Sequence, residues 1–192
     1  MDNTSWTPSS DDNLLGLIDK DQINFIEATG IAKAELYIFS LDIEIEITSQ
    51  LILLIHKIAF GDLYEWGGKW RSINVLVGKL LPPEPVKIIN LIFQYLDNLN
   101  YKLAKSTNKS DHVDLLVYCH YEFVRIHPFN NGNGRTGRLL MNLVAFKLGY
   151  KPLELYYRTG NSRKLYIDAL READKGNFKL LENLIDNELI VL

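Results

Sequence analysis

The residues with the clearest chemical capacity lie between positions 125 and 140, where one histidine, a glycine-rich turn and two arginines follow one another closely. His127 can accept or donate a proton near neutral pH. The turn from Asn130 to Gly134 offers main-chain N–H groups, and its glycines leave no side chain between those groups and a ligand. Arg135 and Arg138 offer fixed positive charges that suit phosphate oxygens. This set indicates chemistry between a phosphate ester and a nucleophilic hydroxyl group.

Local sequence rules predict which elements position these groups. Pro128 keeps the residue before it out of the α-helical region, so a helix should end near Ile126. An apolar run from Leu139 indicates that another helix follows the turn. The turn then lies at a helix N-terminus, where free N–H groups and the helix dipole favour a bound anion. Arg135 and Arg138 are three residues apart, so we expect both on one helix face beside that anion.

The same stretch resembles the signature of the Fic family, H-P-F-x-[DE]-G-N-G-R-x-x-R. The resemblance implies the Fic fold and transfer of AMP from ATP to a protein side chain. One position departs, because Asn131 stands where the family usually has an acid. The matching residues are His127, Pro128, Phe129, Gly132, Asn133, Gly134, Arg135 and Arg138.

The needs of such a transfer assign a role to each group. His127 is expected to be the base that takes the proton of a Ser, Thr or Tyr hydroxyl on the target protein. The N–H groups of Gly132 to Gly134, with the Asn133 side chain, are expected to hold the α-phosphate. Arg135 and Arg138 are expected to hold the β- and γ-phosphates and to neutralise the leaving pyrophosphate.

The resemblance implies two further contacts with ATP. The run from Arg163 to Leu170 is similar to the family helix that lines the nucleotide pocket, so Tyr166 is expected to touch the base. A core position for Tyr166, with its hydroxyl at the surface, is an equally good interpretation. In Fic enzymes the acid of the motif coordinates the magnesium ion that bridges the phosphates. Asn131 offers only a neutral oxygen, so we expect weaker Mg²⁺ binding and attenuated catalysis.

Other functions remain open at this point. Loss of the metal-binding acid is compatible with a non-catalytic module that binds a nucleotide or phosphate as a regulator. Some relatives transfer phosphate or phosphocholine from another cosubstrate, but the retained Gly134 favours nucleotidyl transfer. A zinc site at His120 and His127 has no third ligand nearby. Many Fic proteins block their second arginine with a glutamate from a motif [ST]-x-x-x-E-[GN], and the one loose match here, Ser40 to Glu44, fails at its last position. A separate inhibitory partner is therefore an alternative.

A second unusual segment lies between Gly61 and Pro85. Its β-branched residues predict a strand, and the glycine that follows them allows a turn before Pro82 and Pro83, so a short hairpin is expected. The resemblance implies a flap that aligns the backbone of the target protein; the alternative is a hairpin that only covers the core. The flap residues are Ile73, Asn74, Val75, Leu76, Val77 and Gly78.

The other elements all read as helices, so we predict an all-α fold with a small β-hairpin flap. His56 lies on the second helix and is expected in the core. The predicted helices are Asp19–Ser40 with a break at Gly30, Ile45–Phe60, Val86–Ala104, one from Asp111 to the motif, Leu139–Leu148, one capped by Asn161 or Ser162, and Phe178–Leu192.

Composition limits the class of protein. The chain has 192 residues, 47% hydrophobic and 23% charged, which suits one globular domain at 14–192 behind a flexible arm at 1–13. A net charge of −3 gives no reason to expect a nucleic-acid partner. The longest apolar run, Leu51–Ile55, is too short to span a bilayer, and no signal peptide is visible. The single cysteine, Cys119, is compatible with the cytoplasm.

Overall fold

The computed structural model describes residues 13–78, 80–155 and 160–192. Seven α-helices and no sheet are present in this part of the chain, which confirms the predicted all-α class. Most of the expected N-terminal arm, residues 1–12, lies outside the described residues. The helices are α1 (Lys20–Ser40), α2 (Ser49–Phe60), α3 (Ile88–Lys105, after a 3₁₀ turn at Pro85–Lys87), α4 (Lys109–Ile126), α5 (Asn133–Lys147), α6 (Gly160–Ala173) and α7 (Lys179–Glu188).

Polar side chains set where several helices begin. Asp19 caps α1 through the N–H groups of the next turn, as the sequence indicates. Helix α2 begins at Ser49 and not at Ile45, because the Thr48 hydroxyl accepts the N–H of Leu51 at 3.2 Å and so caps the helix. Helix α4 begins before the predicted Asp111, since Asn108 is its cap.

The predicted break in α1 is wrong, because the helix runs through Gly30 without interruption. The glycine instead serves the contact between α1 and α2. A Cβ atom at Gly30 would lie 2.1 Å from the backbone oxygen of Ala59, a distance that no side chain tolerates. A missing side chain therefore allows the two helices to approach closely.

Buried apolar side chains from all seven helices form one core, with α5 near its centre. Helix α5 packs against α1, α2 and α4, so its N-terminus is held from several sides. Phe129, in the loop before α5, is fully buried and anchors that loop in the core. None of the described helices combines the length and the apolar character that a membrane span requires.

The flap contains much less β-structure than predicted. One antiparallel bridge joins Val77 to Leu80, with both N–H···O bonds near 3 Å, and Gly78 follows Val77 with φ +61°. No strand forms over 72–78. Pro82 and Pro83 explain this difference, because they carry no N–H groups and the returning arm cannot continue a ladder.

The C-terminal elements also differ from the prediction. Helix α6 includes Asn161, which was expected to cap it. Helix α7 ends at Glu188, and the tail returns to the end of α5, where Lys151 donates to the Ile190 carbonyl at 2.8 Å. Gly149, with φ +81°, turns the chain there as expected.

Candidate active site

His127 is the C-cap of α4, with φ 52° and ψ 57°, and is the one non-glycine residue of the described segments with positive φ. Its Nδ1 lies 3.2 Å from the carbonyl oxygen of Val124. A carbonyl only accepts, so Nδ1 carries the proton and donates. Nε2 is then left as the acceptor nitrogen, which is the state that a general base requires.

The pKa of His127 is lowered to about 4, mainly because the ring is largely desolvated. The bond to the Val124 carbonyl opposes this shift, and the positive charge of Arg71 adds to it. The imidazole is therefore neutral at physiological pH and able to accept a proton.

Side chains of the motif hold the loop between α4 and α5 in shape. Asn133 is buried, and its side-chain amide accepts the N–H of Phe129 and donates to the Phe129 carbonyl, both at 2.8 Å. The Thr136 hydroxyl donates to the Gly132 carbonyl at 3.0 Å. The Asn133 side chain, expected to contact the α-phosphate, thus braces the loop, and its main-chain N–H is the group left for an anion.

The start of α5 offers the predicted cluster of N–H groups. The first backbone bond of the helix runs from Thr136 to Gly132 at 2.9 Å. The N–H groups of Asn133, Gly134 and Arg135 precede it, and no acceptor for them is found within the described segments. Gly132 has φ +76°, and a Cβ there would lie 2.5 Å from the Phe60 ring. The helix therefore begins with three backbone donors that have the arrangement typical of an anion site.

His56 joins this loop to the segment before the flap. The Gly68 N–H donates to His56 Nδ1 at 2.8 Å, so Nε2 carries the proton and donates to the Asn131 carbonyl at 3.1 Å. The ring stacks on Phe129, with centroids 3.5 Å apart. Burial lowers the pKa of His56 to about 3. The prediction of a core histidine was correct, and its bridging bonds were not foreseen.

The two motif arginines point to different neighbours. Arg135 Nη1 donates to Glu27 Oε2 of α1 at 2.7 Å, and its guanidinium lies 4.5 Å from the centre of the Phe60 ring. Both members of this ion pair are mostly buried, with side chains 19% and 12% exposed. Arg138 acts on the hydroxyl of Tyr166 through its charge and through hydrogen bonding, and both lower the pKa of that hydroxyl, although burial raises it more. Arg135 is thus engaged by an acid within its own chain.

Both arginines nevertheless border one cavity of about 950 Å³ between α1, α5 and the segments at 151–154 and 188–190. Its apolar wall includes Ile31 and Leu139, and Glu35 contributes a carboxyl group whose pKa is raised by burial. His127 is not among the residues that line it. The arginines therefore stand between the histidine loop and this cavity.

Arg71 connects the base of the flap to His127. Its Nε donates to the His127 carbonyl at 2.7 Å, and its Nη1 donates to the Ile73 carbonyl at 2.9 Å. Nη2 donates to the carbonyl of Pro83, on the other arm of the flap. The side chain is 3% exposed. One buried guanidinium thus joins both arms of the flap to the backbone of His127.

The residues around Asn131 do not form a site for a resident magnesium ion. Asn131 Oδ1 accepts the Gly132 N–H at 2.7 Å, so one lone pair of this neutral oxygen is occupied. No cluster of three acidic, histidine or cysteine side chains is found in the segments described. Magnesium prefers carboxylate oxygens, which this loop does not supply.

The loose inhibitory motif at 40–44 lies away from the site. Glu44 is exposed and acts electrostatically on Lys147, in the last turn of α5. The motif arginines are in the first two turns of the same helix, roughly 13 Å or more distant at 1.5 Å per residue. The acid that contacts the motif is Glu27, and it holds the first arginine.

Sequence reasoning missed the contacts of Glu27, Arg71 and His120. A signal existed for Glu27, because it lies on the same face of α1 as Ile23 and Ala34, and an acid on an apolar face indicates a buried partner. Arg71 gave no such signal, since its acceptors are backbone carbonyls.

The chain belongs to the Fic/DOC family, whose model matches residues 46–145. It is 36% identical over 156 residues to the protein adenylyltransferase Fic of Drosophila willistoni, and 37% over 135 residues to that of Aedes aegypti. These matches cover 80% and 69% of the chain but 30% and 26% of the relatives. The chain therefore spans about a third or less of the length of these relatives.

Solved structures show the same fold. Fic-1 (residues 134–508) of Caenorhabditis elegans is 25% identical with a TM-score of 0.69, over 84% of this chain and 47% of that one. BepC of Bartonella tribocorum, solved with bound AMPPNP, is 19% identical with a TM-score of 0.73, over 94% and 92%.

Proposed function

We propose that this chain transfers AMP from ATP to a hydroxyl side chain of a target protein. The observation that carries the proposal is the tautomer of His127, whose Nε2 is unprotonated. This histidine belongs to the loop that ends in three backbone N–H groups with no acceptor in the described segments. The matched relatives are named protein adenylyltransferases, and BepC was solved with an ATP analogue, which supports ATP as the cosubstrate.

The reaction follows from these groups. The target hydroxyl oxygen attacks the α-phosphorus and forms a new P–O bond, while His127 Nε2 takes the hydroxyl proton. The bond from the α-phosphorus to the oxygen that bridges to the β-phosphate breaks, and pyrophosphate leaves with the electron pair. The N–H groups at the start of α5 stabilise charge on the α-phosphate, and Arg135 and Arg138 neutralise the leaving group. Arg135 must leave Glu27 to do so.

Magnesium enters this proposal as part of the substrate, bound to the phosphates of ATP. Asn131 offers it at most one neutral oxygen, so we assign the protein no step through the ion. Weaker hold on the ion is the reason to expect slow transfer.

The flap is proposed to receive an extended segment of the target protein. Ile73, Asn74, Val75, Leu76, Val77 and Gly78 form the first arm, and most of them are exposed. Their backbone groups have few partners among the described residues, so an added strand can pair with them. A separate inhibitory partner and a cytoplasmic location remain parts of this proposal.

The test is a labelling assay with ATP that carries the label on its α-phosphate. We expect slow labelling of a target protein or of the chain itself, a loss of roughly 10²-fold or more with His127→Ala, and faster labelling with Asn131→Asp. The control is ATP labelled on the γ-phosphate, which should transfer nothing.

A second function is favoured by the neutral Asn131, namely a non-catalytic module that binds the nucleotide. Such a module would bind ATP with little dependence on magnesium, and neither the wild type nor Asn131→Asp would transfer label. That result would overturn the proposed transfer.

A further inference from the structure

The mechanism above leaves one buried polar pair without a role. His120 of α4 is fully buried, and Tyr166 of α6 is 7% exposed. Their atoms Nε2 and Oη are 2.6 Å apart, which is a short hydrogen bond between two helices. None of the bonds described above joins either residue to the loop that contains His127.

The motif arginine Arg138 also acts on this hydroxyl. Its charge and its hydrogen bonding both lower the pKa of Tyr166, although burial raises it more. A guanidinium can only donate, so its N–H groups face the hydroxyl oxygen, and the hydroxyl proton is left for His120 Nε2. The order from donor to acceptor is then Arg138, Tyr166 and His120.

His120 has the properties that this direction requires. Burial, aided by the charge of Arg138, lowers its pKa to about 4, so the ring is neutral and Nε2 can accept. Nδ1 then carries the proton; it is buried with no hydrogen-bond partner among the described residues. It lies beside Gly137, where a Cβ atom would come within 3.2 Å of it. Gly137 thus leaves the space that the ring occupies beside α5.

We propose that His120 and Tyr166 are positioning residues that hold the Arg138 guanidinium in place for the terminal phosphates of ATP. The inference rests on the proposed function. It differs from a contact between Tyr166 and the base, because a base contact uses the ring, whereas this role uses the hydroxyl. Substitution of tyrosine by phenylalanine keeps the ring and removes the hydroxyl, so it separates the two roles.

The experiment compares the affinities of the wild type and Tyr166→Phe for ATP and for AMP by calorimetry. We expect the variant to bind ATP about tenfold more weakly, because a hydrogen bond to a charged group is lost. AMP lacks the β- and γ-phosphates, so its affinity should change by less than about twofold. The matched control is Tyr95→Phe, since the buried Tyr95 hydroxyl donates to the Cys119 carbonyl at 2.9 Å, away from Arg138. It should leave both affinities unchanged.

Double substitution tests the route through the arginine. In an Arg138→Ala background, Tyr166→Phe should no longer weaken ATP binding, whereas a general loss of packing would persist. His120→Leu should act like Tyr166→Phe, and His120→Gln, which keeps an acceptor, should restore much of the affinity.

The outcomes separate this inference from the proposed function. A wild type that does not bind ATP overturns both. If Tyr166→Phe binds ATP as tightly as the wild type, the positioning role is wrong. It is also wrong if the affinity for AMP weakens as much as the affinity for ATP. Either result leaves the proposed AMP transfer unaffected.

Discussion

At the scale of single residues, the motif could be predicted from sequence and its neighbours could not. His127 and the glycines follow from local rules, because proline restriction and glycine freedom act within a few residues. The acid that engages Arg135 is 108 positions away in the chain, and no local rule connects the two. Ion pairs between helices depend on how the helices pack, which the sequence does not state directly.

Glu27→Gln should strengthen ATP binding, since the phosphates would no longer compete with a carboxylate for Arg135. We expect several-fold tighter binding by calorimetry. The free energy of unfolding should fall by roughly 1–3 kcal/mol, because Arg135 loses its buried counter-charge.

The control for this change is Glu65→Gln, which removes an exposed ion pair with Lys69, where both side chains are more than half exposed. It should change neither the affinity for ATP nor the free energy of unfolding measurably. Unchanged or weaker ATP binding in Glu27→Gln would show that the ion pair does not restrict access to Arg135.

At the scale of elements, helices were predicted well and the flap was not. Apolar residues at helical spacing identified the helices, and apart from the expected break at Gly30 the errors lay at their ends, where Thr48 and Asn108 act as caps. The prediction of a hairpin was wrong because alternating β-branched residues predict an extended backbone but do not predict a partner strand. Pro82 and Pro83 have no N–H groups to donate, so among the described residues Val77 is the one position of the first arm that pairs with the second.

Two substitutions of Arg71 distinguish the effect of its charge on His127 from the effect of its hydrogen bonds on the flap. Arg71→Gln removes a positive charge beside His127, so the pKa of that histidine should rise from about 4 towards its ordinary value. Arg71→Lys keeps the charge and should leave that pKa low. Neither substitute has the planar fork with which Arg71 reaches three carbonyls, so both should loosen the flap. Hydrogen exchange of the Val77 and Leu80 N–H groups, which form the bridge of the flap, should then quicken about tenfold in both variants. NMR titration of the His127 ring and exchange measurements check the two effects.

A rise in the pKa of His127 with Arg71→Lys as large as with Arg71→Gln would contradict this division. Burial, and not charge, would then account for the whole effect of position 71.

At the scale of the whole molecule, the core holds neutral histidines that unfolding would expose. His56 and His120 are fully buried, with pKa values lowered to about 3 and about 4. In the unfolded chain both regain an ordinary value near 6.5. Between that value and the folded ones, the unfolded state binds more protons, so stability is lost as the pH falls. Composition revealed the histidines, but only packing reveals their protonation.

The free energy of unfolding should therefore drop by roughly 2 kcal/mol per buried histidine between neutral pH and pH 5. Urea unfolding at the two pH values measures the drop. In His56→Gln the protein should be less stable at neutral pH, but the drop should be smaller by about that amount. An identical drop in the variant would mean that the pKa of His56 is the same in the folded and unfolded states.

The close approach of α1 to α2 at Gly30 has a consequence for Glu27, one helical turn before it. The carboxylate reaches Arg135 only because its helix can settle against the Ala59 backbone with no carbon atom in between. Any larger residue at position 30 would push α1 away from α2 and so move Glu27 away from Arg135. The ion pair between Glu27 and Arg135 is thus sensitive to a single methyl group added one helical turn away.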